Sequence, residues 1–229
     1  MSEIIFDIET VGMDFEALDK ISKETLLKNA KDDQQVEDVK NSLGLYPVTA
    51  QIVTIAMVEA NTDSGIVYFQ DSIANCGNFK ESNIEYVRCS EKEILENFWQ
   101  KIVKYDKFVT FNGRGFDCPF IMLRSGINKV KTIKNLVPYR YNADLHIDLF
   151  DQLSFYGAMR RGFSLHMWTQ ALGIESPKQE GICGADVTKF YKAGKAKDIA
   201  RYCMRDVWAT KQLYLIWKKY IKCKSGRYA

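Results

Sequence analysis

Three short apolar runs in the first third of the chain have the length and composition of β-strands. Residues 3–8 (EIIFDI) are mostly apolar and predict a buried strand. Residues 51–59 and 65–70 are rich in β-branched and aromatic side chains, and Asn61–Gly65 between them has the composition of a turn. We therefore predict that the second and third runs pair as a hairpin.

The segment between the first two strands is polar, with helical spacing of its few apolar residues. It includes a charged stretch around Lys31–Lys40. A polar segment with this periodicity is typical of surface helices. We predict one or two helices here, inserted after the first strand at about residues 14–48.

Strand and helix signals alternate in the second half of the chain. Ser90 and Glu93 form a capping box, a hydroxyl at the cap with a carboxylate three residues on, which predicts a helix to about Tyr105. The other predicted elements are a strand at 107–111, a helix with Pro119 near its start, a strand at 144–149, a helix from Ser164 to Gly173, and loops at 129–141 and 175–186.

The last predicted helix has a continuous apolar stripe. Its side chains recur at steps of three and four, which places them on one buried face. The positions are Ile199, Cys203, Val207, Thr210, Tyr214, Trp217 and Ile221. Because strands and helices alternate after residue 100, the pattern favours an α/β fold, a mixed sheet covered by helices.

Length and charge limit the possible organisation. The chain has 229 residues, of which 46% are apolar, which suits one domain over residues 1–229. The formal net charge is only +3. Any contact with nucleic acid must therefore come from local basic clusters, because the overall field is weak.

Cysteine usage and hydropathy argue against several protein classes. The six cysteines form no C-x-x-C pair and the chain has two histidines, so a zinc site or a disulfide framework is disfavoured. No apolar run approaches the roughly 18 residues that a membrane span needs. The N-terminal segment lacks the pattern of a signal peptide. We expect reduced thiols, a cytoplasmic location and no membrane partner.

Two acidic residues interrupt the first predicted strand. Asp7 and Glu9 stand two positions apart, so their side chains point to the same face of the sheet. Burial of two unpaired carboxylates is costly, and a divalent cation between them would offset that cost. The alternative is that both residues lie in solvent at the end of the strand.

A third acidic residue follows a glycine-containing loop. Phe111–Phe120 runs from a predicted strand into a helix that begins near Asp117. A carboxylate at this position is stabilised by the free N–H groups and the dipole of the helix. Asp117 could therefore be a functional residue, or it could simply be the N-cap.

A tyrosine and a fourth acidic residue lie on the last helix. Tyr202 and Asp206 are four positions apart and share one face, at the edge of the apolar stripe. This places a phenol and a carboxylate beside the core. The alternative is an ordinary surface pair.

The three segments occur in the order of the exonuclease I, II and III motifs. They read D-I-E at Asp7–Glu9, N-x-x-x-F-D at Asn112–Asp117 and Y-x-x-x-D at Tyr202–Asp206. The chain resembles the DEDD exonucleases of the tyrosine subclass. It is most similar to predicted stand-alone 3'→5' exonucleases related to the proofreading domain of family-B DNA polymerases. The resemblance extends from Ile4 to about Tyr214.

The resemblance implies a ribonuclease H-like fold, in which the first strand is central and helices cover both faces of the sheet. It also implies two divalent cations, Mg²⁺ or Mn²⁺. Asp7 would bridge both ions, and Asp117 would serve the second ion, directly or through water. Glu9 and Asp206 would bind the ion that activates water. Tyr202 would orient that water, because a phenol with an ordinary pKa of about 10 is a poor base at neutral pH.

The resemblance further implies contacts to the substrate. Asn112 and Phe116 are candidates for binding the terminal nucleotide, although Phe116 could instead pack in the core. The Lys218–Arg227 tail could be a nucleic-acid arm or a solubilising end. Basic candidates for the path of the strand are Lys129, Lys131, Lys134, Arg140, Arg160 and Arg161.

The expected activity is metal-dependent release of 5'-mononucleotides from single-stranded or frayed DNA. One alternative is an RNA 3'→5' exonuclease of the same fold, because the four acids act on phosphate and do not distinguish the sugars. The other is a catalytically inactive nucleic-acid-binding module. The presence of all four acids and the tyrosine disfavours the inactive alternative.

Overall fold

A seven-stranded mixed β-sheet is at the centre of the computed structural model, which describes residues 2–178 and 184–223. The strand order is β4-β5-β3-β2-β1-β6-β7. The strands are β1 (Glu3–Gly12), β2 (Ala50–Glu59), β3 (Gly65–Phe69), β4 (Phe79–Glu81), β5 (Ile84–Arg88), β6 (Lys107–Thr110) and β7 (His146–Asp148).

The first strand lies inside the sheet, as expected. β1 pairs antiparallel with β2 on one side and parallel with β6 on the other. β6 pairs parallel with β7. The carboxyl ends of β1, β6 and β7 therefore lie side by side at the same end of the sheet. β2 and β3 form the predicted antiparallel hairpin.

Helices cover both faces of the sheet. They are α1 (Lys20–Leu27), α2 (Asp33–Ser42), α3 (Glu91–Ile102), α4 (Asp117–Ile127), α5 (Leu149–Leu153), α6 (Leu165–Ala171), α7 (Val187–Lys192) and α8 (Ala196–Ile216), which continues into a π-helical turn at Trp217–Ile221. None of the described helices is both long enough and apolar enough to span a membrane.

Alternation along β1 divides the core into two layers. Ile4, Phe6 and Ile8 pack with α3 and α4 on one face. Ile5 lies on the other face, where the apolar stripe of α8 is buried. The α/β fold with helices on both faces of a mixed sheet, consistent with a ribonuclease H-like domain, is thereby confirmed.

Local signals in the sequence match the ends of several helices. Ser90 and Glu93 form the predicted reciprocal capping box at the start of α3. Ser164 accepts a hydrogen bond from the main-chain N–H of Met167 at the start of α6. Gly173 follows that helix with φ +66°, a conformation that favours glycine.

Other elements differ from the predicted ones. The predicted strand at 144–149 stops at Asp148, because that side chain accepts the N–H of Phe150 and starts α5. The hairpin of β4 and β5 was not predicted; it is short, and the stacked rings of Phe79 and Tyr86 lie 4.2 Å apart. α7 was also not predicted.

The segment at 14–48 contains two helices, α1 and α2, within the predicted range of one or two. Neither contains a fully buried residue, in agreement with a surface location. Cys183, part of the predicted loop at 175–186, and the end of the Lys218–Arg227 tail lie outside the described residues.

Candidate active site

Asp7 and Glu9 lie on the face of β1 that packs against α8. Glu9 is only 8% exposed and Asp7 is half-buried, so neither lies in solvent at the strand's end. Cys203 of α8 approaches them, with its Sγ 3.7 Å from Asp7 Oδ2 and 3.5 Å from the main-chain oxygen of Asp7. Ligand atoms of the three residues lie within 4.8 Å of one another.

Asp117 joins the start of α4 to β1. It is the first residue of the helix, and its Oδ1 accepts a hydrogen bond from the main-chain N–H of Ile8 at 3.1 Å. The N-cap position belongs to Phe116, whose side chain makes no capping bond. Asp117 is therefore not the cap of its own helix. Its buried carboxylate lies instead next to the strand of Asp7 and Glu9.

Tyr202 and Asp206 are joined through their side chains on the face of α8 that packs against the sheet. The two side chains are close enough to shift each other's pKa: Asp206 raises the pKa of the Tyr202 hydroxyl, and Tyr202 lowers that of the Asp206 carboxyl. The Tyr202 ring is buried with Val11 and Val53 and with residues of α7 and α8. This packing fixes the ring, while Asp206 remains partly accessible.

Electrostatic coupling links all four carboxylates. Burial is the main cause that raises the pKa of each one, and repulsion from neighbouring acids adds to it for Asp7, Glu9 and Asp117. Asp7 and Glu9 are raised well above their usual values. The pKa of Asp117 rises to about 7, and that of Asp206 rises to about 6. Three distant segments thus place four mutually repelling acids together.

Two basic residues act on Asp206. Lys178 and Arg205 both lower its pKa, which partly opposes the effect of burial. Lys178 lies in a turn, where its main-chain N–H donates a hydrogen bond of 3.2 Å to Ser176 Oγ. Ser176 Oγ also lies 2.7 Å from His166 Nδ1. Sequence reasoning did not assign Lys178 to the site, because nothing in its spacing indicates proximity to α8.

Comparison with known proteins identifies the family. A family model described as "Predicted 3'-5' exonuclease related to the exonuclease domain of PolB" matches residues 45–226. The chain belongs to this family. The matched region includes Asp117, Tyr202 and Asp206 and begins after Asp7 and Glu9.

A curated relative points the same way. A DNA polymerase of Pyrococcus glycovorans is 24% identical over 170 residues, which cover 65% of this chain and 21% of the polymerase. The chain thus spans about a fifth of the length of that relative. The predicted resemblance to exonucleases related to family-B polymerases is confirmed.

In this exonuclease family member, the loop before Asp117 is held by an acid that sequence reasoning left without a role. Asp148, at the end of β7, accepts the main-chain N–H groups of Asn112 and Arg114, each at 2.8 Å. Asn112 has φ +60°, and a Cβ on Gly113 would lie 2.4 Å from Thr110 Oγ1. The loop therefore has a defined shape that depends on Asp148.

The candidate substrate-binding residues lie on this loop. Asn112 is exposed, and its side chain is available beside the helix that begins at Asp117. Phe116 is half-buried and packs on Phe120, with ring centroids 5.3 Å apart. Core packing thus accounts for one side of Phe116, and the stacking role of its ring remains a prediction.

The predicted basic residues separate into two groups. Lys129 and Lys131 follow the carboxyl end of α4, about 16 Å from Asp117 at the rise of an α-helix. Lys134 donates to the main-chain oxygen of Tyr105, which precedes β6 at the opposite end of the sheet. These three lysines therefore lie beyond the far end of α4 or at the opposite end of the sheet from the acids. Arg140, Arg160 and Arg161 lie in the segments that flank β7 and α5.

Proposed function

We propose that this chain is a divalent-metal-dependent 3'→5' exonuclease that releases 5'-mononucleotides from single-stranded or frayed DNA. The observation that carries the proposal is the grouping of Asp7, Glu9, Asp117 and Asp206, of which Glu9 and Asp117 are buried and Asp7 and Asp206 are half-buried. Buried carboxylates that repel each other are costly unless a cation compensates them. Family membership supports the same reaction.

The chemistry of the four acids fits Mg²⁺ or Mn²⁺. All four offer carboxylate oxygens, which are the ligands that hard cations prefer. Asp7, Glu9, Asp117 and Asp206 would hold the ions. When bound, a pair of such ions activates a water molecule and stabilises the charge on the leaving oxygen. The nearby thiol of Cys203 is buried, which raises its pKa and keeps it protonated as a donor to Asp7.

Tyr202 is suited to positioning the attacking water. Its burial and the nearby carboxylates raise the pKa of the hydroxyl above its ordinary value, so the phenol stays protonated at neutral pH. A protonated phenol donates a hydrogen bond and is a poor base. The contact with Asp206 places this donor beside a proposed metal ligand.

Asn112 and Phe116 would contact the terminal nucleotide. Both precede Asp117 on the loop that Asp148 holds. Stacking on an aromatic ring tolerates any base, as an exonuclease without sequence preference requires. The exposed amide of Asn112 can both donate and accept a hydrogen bond.

A digestion assay tests the proposal. Single-stranded DNA and RNA, labelled at the 5' end, are incubated with Mg²⁺, with Mn²⁺ or with EDTA. Stepwise shortening from the 3' end is expected with metal, none is expected in EDTA, and a blocked 3' end should protect the strand. Faster shortening of RNA would assign the substrate to RNA.

The assay includes two variants. Asp7→Asn should be inactive, while Asp38→Asn, which alters an exposed acid on α2, should retain the parental rate. Undiminished cleavage in EDTA, or parental activity of Asp7→Asn, would overturn the two-metal mechanism.

A further inference from the structure

Exposed aromatic side chains cluster beside β7. Tyr139 is 74% exposed, Tyr141 is 60% exposed and Phe155 is 60% exposed. The Tyr141 ring lies 5.6 Å from that of Tyr139 and 5.0 Å from that of Tyr156, measured between centroids. We call these four residues the aromatic patch. Large exposed aromatic rings in a group are typical of a binding surface.

The turn at 155–157 has an uncommon backbone conformation. Phe155, Tyr156 and Gly157 all have positive φ, at 49°, 55° and 94°. Non-glycine residues rarely adopt this region, because it crowds their Cβ. Gln152 Nε2 donates to the Tyr156 hydroxyl at 2.6 Å and helps to hold the turn. The backbone thus directs Phe155 into solvent despite a conformational cost.

The two segments that carry the patch contain basic residues and no acidic ones. Residues 138–141 contain Arg140 and residues 153–163 contain Arg160 and Arg161, while the exposed Asp144 lies between Tyr141 and β7. Arg140 pairs with the buried Asp151, whereas Arg160 and Arg161 are exposed. This local excess contrasts with the low net charge of the chain and suits a polyanion.

A direct bridge joins the patch to the candidate active site. Arg114, on the loop before Asp117, donates from Nη1 to the main-chain oxygen of Pro138 at 2.6 Å. Its Nε lies 3.4 Å from Asp151, the partner of Arg140. β7 is two strands from β1, which corresponds to roughly 10 Å at ordinary strand spacing. The patch therefore flanks the loop that would receive the terminal nucleotide.

We propose that the aromatic patch binds the single-stranded segment on the 5' side of the nucleotide being removed. Bases would stack on Tyr139, Tyr141 and Phe155, and Arg160 and Arg161 would contact phosphates. Interleaved aromatic and basic side chains are the usual platform for single strands. The assignment of the patch to the segment on the 5' side of the removed nucleotide rests on the proposed function. Binding of a single strand by the patch does not depend on cleavage.

The main competing occupant is a second copy of the chain. Exposed rings can also become buried in the interface of a homodimer. The two segments contain no acidic residues, so the patch of a second copy would offer no negative charge to pair with the arginines. Like-charged surfaces brought together repel each other. A single-stranded polyanion satisfies both the rings and the arginines.

A binding assay in EDTA separates recognition from catalysis. The probe is a fluorescent oligothymidylate of about 15 nucleotides, near the upper limit of common site sizes. Tyr139→Ala/Tyr141→Ala should weaken its binding about tenfold or more. Tyr139→Trp/Tyr141→Trp should restore binding, because tryptophan also stacks. Tyr46→Ala, which removes a ring that is 51% exposed between α2 and β2, is the matched control and should bind as the parent does.

The arginines are tested by salt dependence. Arg160→Gln/Arg161→Gln should reduce the slope of log affinity against log salt by about 1.4, the value for loss of two phosphate contacts on a single strand. An unchanged slope would remove these residues from the proposal. The proposal for the aromatic patch would be overturned if the Tyr139→Ala/Tyr141→Ala variant bound the oligothymidylate as tightly as the parent does. It would be overturned in favour of a homodimer if sedimentation velocity showed that this variant loses a dimer while it keeps its affinity for DNA.

A small substrate distinguishes failure of the patch from failure of the proposed function. The p-nitrophenyl ester of thymidine 5'-phosphate is too short to reach the patch. The Tyr139→Ala/Tyr141→Ala variant should hydrolyse it at the parental rate and show a raised KM for the oligothymidylate. If the parent protein hydrolyses neither substrate but binds the oligothymidylate through the patch, the proposed exonuclease activity is refuted. The proposed binding of a single strand by the aromatic patch then still holds.

Discussion

Asp117 combines a structural contact with an environment suited to a metal ligand. One carboxylate oxygen accepts the main-chain N–H of Ile8, and this bond joins α4 to β1. Hydrogen bonds of this kind favour the ionised form, yet burial raises the pKa of Asp117 to about 7. The position of this carboxylate is therefore fixed by the fold before any cation binds.

Asp7→Asn should abolish activity while raising the stability of the metal-free protein. The substitution removes a buried charge that repels Glu9 and two other acids. In EDTA, the melting temperature should rise by at least roughly 2–4 °C, the shift that about 1 kcal/mol produces in a chain of this size. Calorimetry in EDTA and in Mg²⁺ checks this, and the parent alone should gain stability from the metal. A lower melting temperature in EDTA would show that Asp7 is not under electrostatic strain.

Tyr202→Phe and Asp206→Asn should fail in different ways, although the two residues share one face of α8. Loss of the Asp206 charge should weaken metal affinity, and extra metal should restore part of the rate. Loss of the Tyr202 hydroxyl should lower turnover by about 10²-fold without a change in metal affinity. The ring of Tyr202→Phe keeps its packing with Val11 and Val53, so the melting temperature should stay constant.

Metal titrations of the rate for both variants, beside the parent, check this pair of expectations. Full activity of Tyr202→Phe would mean that the tyrosine is only a neighbour of Asp206. Full rescue of Tyr202→Phe by added metal would contradict the positioning of water by its hydroxyl.

At the scale of elements, one short strand determines the shape of the loop that enters α4. Asp148 ends β7, starts α5 and accepts two N–H groups of the neighbouring loop. Parallel pairing of β6 with β7 brings this carboxylate to that loop, 36 positions away from Asn112 along the chain. Strand order thus supplies an interaction that no local motif records.

Asp148→Asn should impair substrate binding more than metal binding. An amide in place of the carboxylate sets an N–H donor against one of the loop N–H groups, with a cost of about 1.5–3 kcal/mol. The KM for an oligonucleotide should rise several-fold, and the metal concentration for half-maximal rate should match that of the parent. Asp38→Asn is the control. A changed metal requirement with an unchanged KM would contradict the role of Asp148 as a positioning residue.

Elements with a strong periodic pattern could be predicted from the sequence. The stripe of α8 runs through Ile199, Val207 and Tyr214, and each is buried as its spacing predicts. The capping box of α3 was predicted residue by residue, because its hydrogen bonds connect neighbours in sequence. Both signals are local, so one sequence is enough to identify them.

Features that depend on contacts between distant segments could not be predicted. Cys203 fits the α8 stripe, but its approach to Asp7 follows from the packing of α8 on β1. The β4–β5 hairpin is missed because Lys80 and Glu85 interrupt its apolar residues on an edge of the sheet. The grouping of the four acids was expected only through a family resemblance, since spacing alone allowed ordinary surface roles.

For the molecule as a whole, the acids make stability depend on pH. A carboxyl group whose pKa is raised in the native state contributes its full stabilisation when the pH is below its pKa in the unfolded chain. That stabilisation is lost as the pH rises through its pKa in the native state. Buried His146, with its pKa lowered to about 3, acts in the opposite sense but only below about pH 6.5. Between about pH 6.5 and 8 the carboxylates should dominate, because the pKa of Asp117 is raised to about 7 and those of Asp7 and Glu9 are raised well above their usual values.

We therefore expect the melting temperature in EDTA to fall as pH rises through this window. Saturating Mg²⁺ should remove most of the slope, since bound cations neutralise the acids and stabilise the native state. Scanning calorimetry across the window, with and without metal, is the measurement. A melting temperature that climbs with pH in EDTA would mean that the acids are not held against each other.

The acids are contributed by elements far apart in the sequence, Asp7 on β1 and Asp206 on α8. During synthesis, α8 can dock on β1 only after a long intervening segment has been made, since 196 positions separate Asp7 from its neighbour Cys203. Closure of so long a loop is slow and is repaid only by late, non-local contacts. A nascent chain that has not yet reached α8 thus lacks part of the acid cluster, so hydrolytic capacity would arise only after that helix has been made.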